Sequence, residues 1–176
     1  KAGYDAFVIT DHYCKWAQDR SGLTNNDDYV QYFLNGYRSA RKAAEQIGFT
    51  ILLGAEANLP GSPNDYLLYG ITEEFILAHP DIHEMSLPEL YKLCHDNDIL
   101  LLQAHPYRTY CNPADPQYLD GAESYNGNPR HDNRNELARE WTDEYHMIES
   151  SGSDFHELED VAKGGIKTAE TILDTR

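Results

Sequence analysis

Short apolar runs alternate with segments of helical periodicity along the chain, and this alternation limits the folds open to it. Strands are predicted at 5–10, 49–55, 66–71, 99–104, 121–125 and 148–153, with a weaker candidate at 165–168. Helices are predicted at 27–47, 72–78, 86–97 and 132–146. Strands separated by helices favour parallel pairing through right-handed crossovers. The 176 residues therefore predict an α/β fold in a single domain, residues 1–176.

The charge of the chain narrows the partners it can take. The sequence has 14 Lys and Arg residues against 30 Asp and Glu residues, a formal net charge of −16. Such a chain repels phosphate backbones and anionic lipids, which argues against nucleic acid as a partner. Its longest apolar runs, such as 99–102, are too short to span a membrane. Three widely spaced cysteines without a CxxC motif point to a reducing compartment, so we expect a cytoplasmic protein.

Histidines and carboxylates follow four of the predicted strands. The four motifs are Thr-Asp-His at His12, Gly-Ala-Glu at Glu56, Ala-His-Pro at His105, and Gly-Ser-Asp-Phe-His at Asp154 and His156. The carboxyl ends of parallel strands meet at one edge of a sheet, so we expect these side chains to converge there. Imidazole and carboxylate together suit two or more divalent ions such as Zn, Fe or Mn.

Each motif is weak by itself, because a lone histidine is more often a hydrogen-bonded core or surface residue than a metal ligand. Four motifs in order, each after an apolar run, favour a metal site. His83, His95 and His146 have no partner at ligand spacing and are expected at the surface. The Ala-His-Pro at His79 follows a predicted short helix and is expected to be a loop without a metal role, and His131 either lines the mouth of the pocket or caps the next helix.

In this order, the TDH, GAE, AHP and GSDFH motifs resemble those of the PHP superfamily, the polymerase and histidinol phosphatase domains. The segment 121–127, GAESYNG, resembles the strand before the last long helix of that family. The resemblance covers nearly the whole chain. It implies a distorted (β/α)7 TIM-like barrel of PHP type that carries two or three divalent metal ions (Mn, Fe or Zn). Most free-standing members hydrolyse phosphate esters.

The chain departs from this family pattern at two places. The family opens with an HxH motif on its first strand, and the sequence begins at Lys1, beyond that point. We therefore expect an internal piece of a longer protein, truncated at the N-terminal strand. Truncation at the C-terminal helix is left open. Asp65 stands where family members often have a histidine, so either Asp65 is a ligand or that metal is weakly held.

The resemblance also implies a role for each site residue. A water activated by the metals would be the nucleophile. Arg108, three residues after His105, either clamps phosphate oxygens or forms a surface salt bridge. In the division of ligands that the resemblance implies, His12 and His156 would share one ion. Glu56 would bridge two ions, with Asp154 joining it on one of them. His105, with or without Asp65, would hold the other ion.

Three functions are compatible with these observations. The first is a metal-dependent phosphoesterase that acts on a small phosphorylated metabolite or nucleotide. The second is a PHP module associated with a polymerase, although nothing basic flanks the motifs. The third is a degenerate site with a structural or metal-binding role, suggested by Asp65 and the missing HxH motif. The substrate, the metal and the oligomeric state are left open by the sequence.

Overall fold

Seven strands form one curled sheet in this computed structural model, which describes residues 3–169 and residue 172. The spatial order is β1-β3-β4-β5-β6-β7, and β2 also pairs with β3. The described residues form a half-barrel, so the closed seven-unit barrel stays a prediction. The strands are β1 (Ala6–Ile9), β2 (His12–Tyr13), β3 (Thr50–Asn58), β4 (Asp65–Tyr69), β5 (Leu100–Gln103), β6 (Gly121–Asn126) and β7 (Ile148–Gly152).

Five α-helices in the described residues accompany the sheet, and local signals in the sequence fix where several of them begin. The Asn25 side chain accepts a hydrogen bond from the Asp27 backbone N–H and starts α2. The Thr72 side chain accepts a hydrogen bond from the Phe75 backbone N–H and starts α3. At the start of α4, Ser86 donates its backbone N–H to the Glu89 carboxylate. The helices are α1 (Lys15–Ser21), α2 (Asn26–Glu45), α3 (Glu73–Ala78), α4 (Leu87–His95) and α5 (Asn135–Tyr145).

The core lies between the sheet and its helices. The long helix α2 packs on β3, and α5 packs on β6. The buried face of α2 contains Tyr29, Phe33 and Tyr37, which the periodicity predicted, and also Val30 and Leu34, which it did not. No helix among the described residues combines the length and apolar character needed to cross a membrane.

The expectation of an all-parallel sheet is wrong at β4. This strand runs antiparallel to both β3 and β5, whereas the remaining strand pairs are parallel. The short loop 59–64 joins β3 to β4 as a hairpin, and a parallel return would need a dozen or more residues. As a result, Asp65 at the start of β4 lies opposite Asn58 at the end of β3.

Two further details of the prediction are corrected. The segment 165–168 is not a strand. Just before it, Gly164 lies so close to the Gly152 carbonyl that a Cβ atom would be 2.0 Å from the carbonyl oxygen. A residue with a side chain would clash there, so the close contact of the two backbones requires glycine. His83, expected at the surface, is buried and packs edge-to-face on Tyr13 and Tyr29.

Candidate metal centre

Three strands bring His12, Glu56 and Asp65 together at one edge of the sheet. β2 pairs with β3 so that His12 is the direct neighbour of Glu56. The reversed strand β4 then adds Asp65 from the other side of β3. One ligand atom from each of the three residues lies within 4.8 Å of the others. Asp65, which the sequence left open as a ligand, is therefore close enough to share an ion with the other two.

His105 reaches the same cluster from the end of β5. Its Nε2 atom lies 3.2 Å from Glu56 Oε1 and 3.7 Å from Asp65 Oδ2. Its Nδ1 atom lies 3.7 Å from the Cys111 thiol sulfur. The backbone φ of His105 is +30°, a conformation that L residues adopt rarely and that often occurs at functional sites. The ring thus presents Nε2 to the carboxylates while Nδ1 faces the thiol.

Asp154 and His156 follow β7 and line the same cleft, whose volume is about 550 Å³. His156 Nδ1 lies 3.2 Å from Asp154 Oδ1, and the His156 and His12 rings are 6.0 Å apart between centroids. Asp154 also has a left-handed backbone, with φ of +49°. All six ligands predicted from the sequence therefore line one cleft. The His156 side chain is the most exposed of the six.

Arg108 lies inside this cleft and is already engaged. Its guanidinium is buried and donates to Asp154 Oδ2 at 2.5 Å and to Asn133 Oδ1 at 2.8 Å. A third hydrogen bond goes to Asn126 Oδ1. The sequence left open a phosphate clamp or a surface salt bridge. Arg108 forms a salt bridge, but with Asp154 inside the site and not at the surface. The phosphate clamp stays a prediction.

Burial makes it costly to ionise the carboxylates of the cluster, because little positive charge lies near them. Desolvation, followed by the nearby charge of Asp154, raises the pKa of Glu56 to about 8. Burial and then Glu56 raise the pKa of Asp65. For Asp154 burial also opposes ionisation, yet the hydrogen bond and charge of Arg108 lower its pKa below the ordinary value. A bound cation would supply the missing charge at Glu56 and Asp65.

Burial favours the neutral form of two imidazoles in the cleft, those of His12 and His105. Burial lowers the pKa of His12, with a further contribution from His156. Burial and then Arg108 lower the pKa of His105. Neutral imidazole is the ligating form. His12 Nδ1 is buried 3.4 Å from Glu56 Oε2 and forms no hydrogen bond within the part of the chain that the structure describes. This orphaned nitrogen, beside two carboxylates, fits a divalent ion.

The raised pKa of Glu56 predicts how the stability of the metal-free protein depends on pH. The unfolded chain releases this proton near the ordinary value of 4.5, whereas the folded chain keeps it up to about 8. The folded state therefore binds more protons in this window, so the free energy of unfolding should fall as the pH rises through it. Urea unfolding in chelator across this range measures the slope. Because Asp65, Glu123, His12 and His105 also titrate differently in the folded protein, the test is the difference between wild type and Glu56→Gln. The substitution should make the fall with pH less steep, and an unchanged slope would contradict the prediction.

Glu123 supports the site from behind, and no role was predicted for it from the sequence. It lies on β6 between β5 and β7, and it is buried. Its Oε2 accepts the His105 backbone N–H at 3.0 Å and the Asn126 side-chain amide at 2.8 Å. Burial raises its pKa to about 7. Asn126 in turn donates to Asp154. The Gly-Ala-Glu at 121–123 repeats that at 54–56, which was the signal available in the sequence.

Replacing Glu123 should weaken metal binding through His105. Glu123→Ala removes the acceptor of the His105 N–H, and loss of a partner that orients a ligand typically costs 10–100-fold in metal affinity, so we expect a loss of about 10-fold or more. Glu123→Gln keeps an acceptor and should retain most of the affinity. Calorimetric titration with Mn²⁺ measures the effect, with Ser124→Ala as the control on the same strand. Equal affinities for the alanine and glutamine variants would show that Glu123 has no such role.

Comparison with solved structures supports the fold. No protein-family model matches the sequence, and no curated protein is significantly similar to it. A two-domain protein from Bacteroides vulgatus, which contains a predicted PHP-like metal-dependent phosphoesterase, is similar over 88% of this chain and 44% of its own, with 14% identity and a TM-score of 0.61. A proposed metal-dependent phosphoesterase from Bifidobacterium adolescentis aligns with 96% of this chain and 92% of its own, at 15% identity and a TM-score of 0.47. The chain spans less than half of the Bacteroides protein, and what it shares with that protein is the fold.

Proposed function

We propose that the chain is a metal-dependent phosphoesterase that hydrolyses a small phosphorylated metabolite or nucleotide with a metal-activated water. The observation that carries this proposal is the cluster of His12, Glu56 and Asp65 within 4.8 Å, in a cleft that His105 and Asp154 also line. The PHP-like description of the Bacteroides protein that shares the fold supports it.

Glu56 is suited to bridge two ions, because its two carboxylate oxygens face different imidazoles. Oε2 lies 3.4 Å from His12 and Oε1 lies 3.2 Å from His105. In the division that the PHP resemblance implies, His12 with His156 would hold one ion and His105 with Asp65 the other. Asp65 is also close enough to reach an ion held by His12 and Glu56. When bound, such ions lower the pKa of a coordinated water toward about 7 and offset the charge on the phosphoryl group. Mn, Fe and Zn all suit this ligand set.

The cleft favours a compact substrate. Its volume is about 550 Å³, within the usual range for small-molecule sites. Both arginines that line it are paired with acids, Arg108 with Asp154 and Arg130 with Asp160. A phosphate that enters the cleft would therefore depend on the ions, with Arg108 available as a clamp only if it exchanges Asp154 for substrate. The net charge of −16 disfavours long nucleic acids as substrates.

Metal content and hydrolysis test the proposal together. We expect the purified full-length protein to contain Mn, Fe or Zn near stoichiometry by plasma mass spectrometry, and a His105→Ala/Asp154→Ala variant to lose it. The metal-loaded protein should release phosphate from a panel of small phosphomonoesters and diesters, and the variant should not. A metal-loaded protein that cleaves none of the panel would refute the phosphoesterase.

The salt bridge of Arg108 favours one alternative, a structural or metal-binding module, alone or associated with a polymerase. Arg108 already supplies a positive charge to Asp154, which is one of the proposed ligands. A centre stabilised in this way needs fewer ions. Near-stoichiometric metal without hydrolysis of any ester would favour this module over the enzyme.

A further inference from the structure

The candidate metal centre lies at one end of a longer trough. A second cleft of about 560 Å³ adjoins it, between α1 and the loop that joins β3 to β4. Trp16, Asn58 and Ser62 line both clefts. A molecule whose phosphoryl group is held near Glu56 therefore has room to extend past Trp16 into the second cleft.

The apolar part of the wall of the second cleft comes from Trp16, Leu59 and Pro60, beside charged and polar side chains. Trp16 lies at the start of α1 beside the candidate metal centre, and its side chain is 43% exposed. Its ring packs edge-on against His12, with 4.8 Å between centroids, and this contact fixes its position relative to a proposed ligand. Leu59 and Pro60 contribute apolar surface from the loop. Large exposed aromatic side chains beside a concave site commonly stack against flat rings.

The charges at the second cleft argue against a second phosphate group there. Lys15 Nζ lies 2.6 Å from Asp19 Oδ1, so its charge is compensated by a neighbour on the same helix. Glu84, which also lines the cleft, adds a further negative charge. An anionic group would meet a net negative surface, whereas a neutral or cationic ring would not.

We propose that this second cleft is the subsite for the leaving group of the substrate and that it takes a flat, neutral or cationic ring stacked on Trp16. The inference rests on the proposed function and narrows its substrate class to phosphomonoesters of ring-bearing alcohols. Hydrolysis breaks the bond between phosphorus and the oxygen of this group, a water oxygen forms the new bond to phosphorus, and a proton from that water passes to the departing alkoxide. The ring leaves through the second cleft as the free alcohol.

Two non-hydrolysable ligands test the subsite without relying on turnover. Phenylphosphonate and methylphosphonate share the phosphonate group and differ in the ring. With the Mn²⁺-loaded full-length protein, calorimetry should show phenylphosphonate binding about tenfold tighter, the gain typical of an aromatic contact. Trp16→Ala should remove this preference, and Trp16→Phe should restore most of it. Adding a 4-carboxylate to the phenyl ring should weaken binding.

The controls separate this inference from the proposed function. Tyr32→Ala removes an exposed aromatic residue on α2 outside both clefts and should leave the tenfold preference intact. If the two phosphonates bind equally, or if Trp16→Ala weakens both by the same factor, the subsite is wrong while the phosphoesterase stands. If neither phosphonate binds the metal-loaded protein, the proposed function fails and the subsite fails with it.

Discussion

Glu56→Gln is expected to lower the affinity for divalent metal by more than about 100-fold, beyond the usual loss when only a partner of a ligand is removed. Glu56 occupies the middle of the cluster, with one oxygen toward His12 and the other toward His105. The amide has the same shape but supplies no negative charge to the ions. Hydrolysis should fall with metal content, and equilibrium dialysis against Mn²⁺ followed by a phosphate-release assay measures both.

The same substitution should stabilise the metal-free protein at alkaline pH. Glu56 is buried, and its pKa of about 8 shows that the ionised form is costly there. The amide avoids this cost, so Glu56→Gln should raise the free energy of unfolding while it lowers metal binding. Such an exchange of activity for stability is typical of active-site residues. Glu149→Gln, on an exposed position of β7, is the matched control and should change neither property. A Glu56→Gln protein that still binds Mn²⁺ as the wild type does would contradict a bridging role.

Arg108→Met should destabilise the metal-free protein by about 3–5 kcal/mol, the usual cost of removing one partner from a buried ion pair. Both side chains are largely buried, at 6% exposure for Arg108 and 9% for Asp154, so water from the cleft compensates the lost partner only in part. Added Mn²⁺ should recover part of this loss, because a cation then faces Asp154. Urea unfolding with chelator and with Mn²⁺ measures the two values.

Arg134 provides the matched control for this experiment. It pairs with Asp132 at 3.6 Å, but both side chains are about half exposed or more. Arg134→Met should therefore change stability by no more than about 0.5 kcal/mol. An Arg108→Met loss as small as this would mean that the buried pair contributes little. A loss that Mn²⁺ does not reduce would argue that Asp154 is not a metal ligand.

Local sequence patterns predicted most elements and the residues that converge. The capping residues at the starts of α3 and α4 and the periodicity of α2 are properties of neighbouring residues, so they can be read from the sequence. The same holds for motifs that follow apolar runs. Because parallel strands end at a common edge, that pattern anticipated that His12, Glu56 and His105 would line one cleft.

Strand direction and buried polar contacts were harder to predict. The apolar run at β4 has the same composition whichever way it runs, and only the short loop before it signals a hairpin. β2 is two residues long, too short for any periodic pattern. The repeated Gly-Ala-Glu could have drawn attention to Glu123, but the hydrogen bond from the His105 N–H could not be predicted from it, because that contact depends on which strands become neighbours. His83 likewise became buried through contacts with distant aromatic residues.

The hairpin of β3 and β4 leads us to expect a particular order of assembly for the centre while the chain folds. Glu56 and Asp65 lie on this one hairpin, which closes at low entropic cost, whereas His105 is 49 positions from Glu56. We therefore expect a divalent cation to find the two carboxylates before β5 docks, and so to accelerate folding. Stopped-flow refolding should show a higher folding rate in Mn²⁺. A cation that met only the finished centre would slow unfolding and leave the folding rate unchanged.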